Sequence, residues 1–401
     1  MGVKQKLVEG EFLLTIRKRI DRGLGTLSRK LLFRKTPIQK NKILFMTYKN
    51  AYECNPKYIA EEILKQKLPY DLVWAIPKNE GIDTSQFPAQ IRLVKRESYE
   101  FYQELASAKI WVDNSLNCLW MPFGKKREQV YFETWHGSMG LKRVGKEDVA
   151  NERWLKAAKR VTEATDFCIS DSTFENMVYR ETHWPEAEIL EYGHPRNDLL
   201  CKEDGEEKSK LRTKIAEELG FSVDDKVLIY APTFRDSGTL DCYDVDFGRL
   251  VKALETRFGG TWKILMRLHF HDRKKKYGRI DDENMVVDAT QYLDMQELLS
   301  IADAGLTDYS SWCCDYVLTG RPCFIYATDI ERYNTERGLY YPLEETPFPI
   351  AKNNDDLERN VLGFDECIFE KKRIKFLNDR GCFEDGHAAE RVVEKFKSII
   401  E

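Results

Sequence analysis

Polar residues able to hold phosphate and move protons recur behind short apolar runs along this chain. His136 follows the run at 130–135, and Arg196 and Asp198 follow 189–192. Thr233 and Arg235 follow 227–231, His269 follows 263–268, and Asp308, Ser310 and Ser311 follow 304–307. Guanidinium groups and serine hydroxyls beside the first N–H groups of a helix make an anion pocket. A histidine titrating near neutrality suits taking a proton from an alcohol or giving one to a departing phosphate. Each feature alone has a plainer reading. His136 fits a hydrogen-bonded structural histidine, and Asp308 with its serines fits ordinary helix capping. His269 and His271 fit a metal pair lacking a clear third ligand. His183, His194 and His387 stand in no comparable setting.

The elements that must position these groups alternate between strand and helix. Strands are expected at 43–47, 72–76, 91–94, 110–113, 130–135, 167–170 and 189–192, with helices at 56–66, 99–108, 147–163 and 173–181 between them. A charged stretch at 203–210 reads as a surface connection, and the domain boundary is placed near Leu200. The second half repeats the pattern, with strands at 227–231, 263–268, 285–287, 304–307 and 323–326. Within 291–326, Tyr292, Met295, Leu299 and Ala302 fall on one helix face. Asp308, Ser310 and Ser311 supply N-cap chemistry for a helix continuing to Leu318, which Gly320 and Pro322 stop. Further helices are expected at 329–335, 355–362, 366–377 and 384–400. Alternation of this kind implies an α/β protein with parallel sheets covered by helices on both faces. In such sheets ligands bind at the carboxyl ends of the strands, where the polar clusters fall.

Composition sets the compartment and partners. The 401 residues exceed one ordinary core and imply two domains. A net charge of −4 gives no whole-chain case for nucleic acid. Charge is unevenly spread, with twelve Lys/Arg against three acids in residues 1–42. Phe12, Leu13, Ile16 and Ile20, then Leu24, Leu27, Leu31, Leu32 and Phe33, recur at helical spacing among basic residues. Residues 1–35 therefore read as a basic amphipathic segment for an anionic membrane surface, or as a helix packed on the body with a solvated face. The ten cysteines include no C-x-x-C pair, as in a reduced compartment. No apolar run reaches the length of a membrane span. A cytosolic protein at the inner membrane face is expected. No nucleotide-binding glycine motif and no acidic cluster reading as a metal site are apparent.

The ordered set Thr134-Trp135-His136-Gly137, Gly193-His194-Pro195-Arg196-Asn197-Asp198, Ala231-Pro232-Thr233-Phe234-Arg235, Arg267-Leu268-His269 and Thr307-Asp308-Tyr309-Ser310-Ser311 with Asp315-Tyr316 carries a resemblance. Over about residues 130–375 it closely resembles the CDP-glycerol glycerophosphotransferases of teichoic-acid synthesis. The chain departs from that family at Phe270, where proline is common, and in Trp312-Cys313-Cys314. The resemblance implies a GT-B-like fold of two Rossmann-like, doubly wound domains with a cleft between them. Residues 36–200 would take the acceptor, and 201–401, with C-terminal helices, the cytidine nucleotide. It implies transfer of glycerol phosphate from CDP-glycerol to a hydroxyl of a lipid-linked glycan or polyol-phosphate acceptor, with release of CMP. No cofactor is required. His136 would be the base and His269 would act on the CMP side. Thr233, Arg235, Ser310 and Ser311 would hold the diphosphate, with Asp308 shaping their turn. Arg196 and Asp198 would be cleft residues, their roles undivided between binding and architecture. CDP-ribitol as donor, or a nucleotide-sugar glycosyltransferase of the same fold, are the alternatives.

Overall fold

The computed structural model describes residues 31, 33–48, 51–78, 83–117, 124–143, 152–202, 205–233, 244–268, 285–336 and 338–401. The first sheet comprises β1 (Gln39–Met46), β2 (Asp71–Ile76), β3 (Arg92–Lys95), β4 (Ala108–Asp113), β5 (Val130–Glu133), β6 (Phe167–Ile169) and β7 (Glu188–Leu190). Its order is β3-β2-β1-β4-β5-β6-β7, all parallel. The second comprises β8 (Lys226–Tyr230), β9 (Trp262–Met266), β10 (Val286–Asp288), β11 (Ala304–Thr307), β12 (Cys323–Tyr326) and β13 (Ile350–Ala351). Its order is β10-β9-β8-β11-β12-β13, again parallel.

Continuous apolar strands arise because helices cover both faces. In β1, Ile43 and Phe45 enter one core with Trp74 and Val112, while Leu44 and Met46 enter another with Val73 and Trp111. That division follows from the alternation of side chains along a strand. The strand orders place Met46, Asp113 and Glu133 on adjoining β1, β4 and β5, so the loops after them open side by side.

The final helix, Ala388–Ile400, departs from the expected division at Leu200. Its Val392, Val393 and Phe396 join the core of the first sheet, with Phe396 edge-on to Phe132 at 5.0 Å. Asp198 accounts for the return: its carboxylate accepts the N–H groups of Ala388 and Ala389, both at 2.8 Å. An acidic group there satisfies two unbonded amides at the helix start. Helix 295–301 begins at Met295, capped by Asp294, so Tyr292 precedes it. The helix after the serines is α-helical only over Trp312–Tyr316 before a tighter turn at Val317–Thr319.

Most of the amphipathic segment 1–35 lies outside the described residues. Within it, Phe33 is buried against Trp111 at 6.2 Å, so this residue packs on the body and is unavailable to a membrane. No helix among the described residues is long and apolar enough to cross a membrane.

Candidate active site

The carboxyl ends of the two sheets enclose a cleft with a cavity volume of about 250 Å³. Tyr48, Asn114, His136 and Arg196 line it from the first sheet, and Arg267, Gln296, Ser310, Ser311 and Asp315 from the second.

His136 sits on a turn that the sequence builds tightly. Glu133, fully buried at the end of β5, accepts the Trp135 N–H through Oε1 at 2.9 Å. Burial, then the adjacent Asp113, pushes the Glu133 carboxyl well above the usual range. Trp135 adopts φ +49°, which disfavours a side chain bearing Cβ. Asn55 holds the strained turn by donating to the Thr134 carbonyl at 2.9 Å and the Trp135 carbonyl at 3.3 Å. Such strain persists where surrounding bonds over-determine it. The His136 imidazole lies exposed in the cleft, with Nδ1 2.6 Å from the Asn114 main-chain oxygen. A carbonyl only accepts, so Nδ1 carries the hydrogen and Nε2 is the basic nitrogen. Tyr48 stacks parallel to the ring, 12° from coplanar at 5.6 Å.

Arg196 is buried and joins the two halves. Its Nε donates to Asp315 Oδ2 at 3.2 Å and its Nη2 to Asp315 Oδ1 at 3.3 Å and to the Gly137 carbonyl. Asp315 also accepts from Asn197 at 3.0 Å and Gln296 at 2.9 Å. Arg196 thus reaches the cleft while tying the turn after His136 to the helix after Ser311. A second bridge joins helix Cys54–Lys65 to helix Met295–Ile301: Lys57 donates to Asp294 at 2.6 Å and Glu297 at 2.5 Å.

Asp308 shapes the opposite wall. Its carboxylate accepts the Thr233 N–H at 2.8 and 3.1 Å and the Tyr309 N–H at 2.5 Å. Trp312 Nε1 donates to the Ala231 carbonyl at 2.8 Å, joining the loops after β8 and β11. Ser310 and Ser311 are half-buried on that loop and line the cleft. Ser311 occupies the cap position without a side-chain capping bond; the Cys313 and Cys314 N–H groups donate instead to the Ser310 and Ser311 carbonyls. Arg267, at the end of β9, donates to the carbonyls of Tyr292 at 3.2 Å and Leu293 at 2.8 Å. These carbonyls help to orient the guanidinium.

The cleft therefore gathers His136, Arg196, Ser310 and Ser311. Thr233 and Asp308 are buried just behind, in the turn beneath the serines. Asp198 is not among the residues lining the cleft; its carboxylate is occupied by the final helix. Arg235 and His269 lie outside the described residues. Tyr48, Asn114 and Gln296 carry no sequence signal of a site, and Arg267 and Asp315 are visible only within motifs.

Behind the cleft, His194 is fully buried, 3.2 Å from Glu175 and 3.7 Å from Asp171. Asp171, His194 and Glu384 bring possible metal-ligating atoms within 4.8 Å of one another. Asp171 Oδ2 already accepts Ser138 Oγ at 2.7 Å and the Met139 N–H at 3.1 Å, so the group braces the loop after His136. Burial, then Glu175, pushes Asp171 up to about 7; burial likewise pushes Glu175 up to about 7. Burial, then Arg196, pushes His194 down to about 4.

Two parallel-sheet domains meeting at a cleft, with an imidazole on one wall and hydroxyl and guanidinium groups on the other, define a protein of GT-B-like architecture. The wall teichoic acid polymerase TagF has this fold in a solved structure, with a TM-score of 0.80 and 28% identity over 98% of each chain. The chain belongs to the CDP-glycerol:poly(glycerophosphate) glycerophosphotransferase family, which it matches over residues 28–397. It is 32% identical to a teichoic acid poly(glycerol phosphate) polymerase of Staphylococcus epidermidis over 361 residues, 85% of this chain and 48% of that protein. The chain thus spans about half the length of that relative. It is 29% identical to the teichoic acid glycerol-phosphate transferase of Staphylococcus aureus, over 95% of this chain and 98% of that protein.

Proposed function

We propose that the chain transfers glycerol phosphate from CDP-glycerol to a hydroxyl of a lipid-linked glycan or teichoic-acid acceptor, releasing CMP. The observation carrying this reading is the His136 imidazole, held with Nε2 basic, facing Ser310, Ser311 and Arg267 across one cleft. In the proposed step His136 Nε2 takes the proton of the acceptor hydroxyl as its oxygen attacks the β-phosphorus in line. The new O–P bond forms while the bond from the β-phosphorus to the bridging oxygen breaks, and CMP leaves with that oxygen. Serine hydroxyls and Arg267 face the charge developing on the phosphoryl oxygens, where fixed donors stabilise a transition state most. Arg235 on the diphosphate, and His269 protonating or stabilising the departing phosphate, complete the assignment by family motif.

Melting temperature with CDP-glycerol, CDP-ribitol, UDP-sugars and CMP tests the donor. Ligand at a hundred times its Kd stabilises by about 2.7 kcal/mol, enough to resolve. A shift with CDP-glycerol and none with UDP-sugars is expected, and the reverse pattern contradicts the reading. Residues 1–35 serve, in this proposal, to hold the enzyme peripherally on the anionic inner membrane face, where a lipid-linked acceptor lies. Their deletion is expected to abolish co-sedimentation with phosphatidylglycerol vesicles at low salt; unchanged co-sedimentation contradicts that role.

A further inference from the structure

We propose that Asn114 is a positioning residue for the His136 base, acting on the imidazole from two sides; the inference rests on the functional reading above. The three residues involved stand at the ends of adjoining strands. Tyr48 follows β1, Asn114 follows β4 and His136 follows β5. Asn114 is 1% exposed, and its main-chain oxygen fixes the His136 Nδ1–H at 2.6 Å. Its side-chain Oδ1 accepts the Tyr48 main-chain N–H at 2.7 Å. That bond seats Tyr48 where its ring lies against the imidazole. One residue thus fixes the tautomer through its backbone and the ring plane through its amide.

Asn114 is itself held in place. Asp113, fully buried, accepts the N–H groups of Ser115 at 3.0 Å and Asn117 at 2.7 Å. It also accepts the Tyr131 hydroxyl at 2.6 Å. These bonds fix the turn so that the Asn114 carbonyl points at His136. A misplacement of about 1 Å in a reacting group lowers turnover by up to about 100-fold, so a clamp of this kind acts on kcat.

The test uses the full chain with CDP-glycerol and a synthetic glycerol-phosphate-terminated lipid acceptor, and compares Asn114→Ala, Tyr48→Ala, Tyr48→Phe and the double alanine variant. Asn114→Ala is expected to lower kcat by about tenfold with the KM for CDP-glycerol within about twofold. Tyr48→Ala is expected to match it, and the double variant to be no worse than either, because both remove one unit. Tyr48→Phe keeps ring and N–H and is expected to recover most of the loss. In parallel, ¹⁵N-histidine NMR is expected to show His136 as a single Nδ1–H tautomer in the unmodified chain and in Asn114→Ala alike, because alanine keeps the main-chain oxygen. Unchanged kcat in Asn114→Ala overturns the proposal, as does a mixture of His136 tautomers in the unmodified chain or strict additivity of the two alanine variants. If His136→Ala retains turnover, the base assignment fails instead, while the tautomer spectrum still decides whether Asn114 holds the ring.

Discussion

Arg196 and Asp315 form a buried ion pair across the cleft, Nε to Oδ2 at 3.2 Å, joining the loop after β7 to the helix that follows Ser311. Arg196 also donates to the Gly137 carbonyl, one residue beyond His136. Arg196 therefore ties the imidazole turn directly to the helix after the serines, beside the Lys57 bridge.

Removing one partner of such a pair leaves an uncompensated buried charge, at a cost of about 3–5 kcal/mol. Arg196→Met is expected to lower stability by that order in urea unfolding. The Arg196→Met, Asp315→Leu double variant is expected to recover part of the loss, since neither charge is then stranded. A single variant within about 1 kcal/mol of the parent contradicts this role.

The buried group around His194 gives stability an unusual pH dependence. Asp171 and Glu175, both raised to about 7, keep protons that the unfolded chain releases from about pH 4 upward. Their contribution to stability therefore falls as pH rises from that value to about 7. His194, lowered to about 4 from 6.5, works oppositely: below pH 6.5 the unfolded chain binds a proton that the folded chain refuses, so stability falls as pH drops. Glu175→Gln removes one carboxyl while its amide oxygen still accepts the Asp171 N–H. The melting temperature of the variant relative to the parent is expected to rise between pH 5 and pH 8. A constant difference contradicts the assignment.

Hydrogen bonds to charged groups contribute about 1.5–3 kcal/mol each. The Ser310→Ala, Ser311→Ala double variant is accordingly expected to raise the Kd for CDP-glycerol by about tenfold or more in calorimetry, with the fold intact, because neither side chain caps the short helix. Unchanged affinity removes the serines from the donor site.

Strand–helix alternation made both parallel sheets legible, because a strand covered on two faces must be apolar throughout. The polar residues behind the strands were legible for the same reason, since each stands where a strand ends. Other features had no local signal. Val392, Val393 and Phe396 show that the last helix has a buried side, but nothing in the periodicity says that the first sheet covers it. Asp198 looks like a cleft residue until the two amides it caps, 190 and 191 positions away, are seen. Asn114 is silent because its contact to His136 is made by the main chain, which every residue type offers.

The central claim is that His136 removes the acceptor proton. The most direct measurement is CMP release by His136→Ala with CDP-glycerol and a glycerol-phosphate-terminated acceptor, beside donor binding by thermal shift. Loss of a general base lowers turnover by about 100-fold or more. The expected result is that loss with the CDP-glycerol-induced rise in melting temperature preserved. Turnover near that of the parent, with donor binding equally preserved, contradicts the claim.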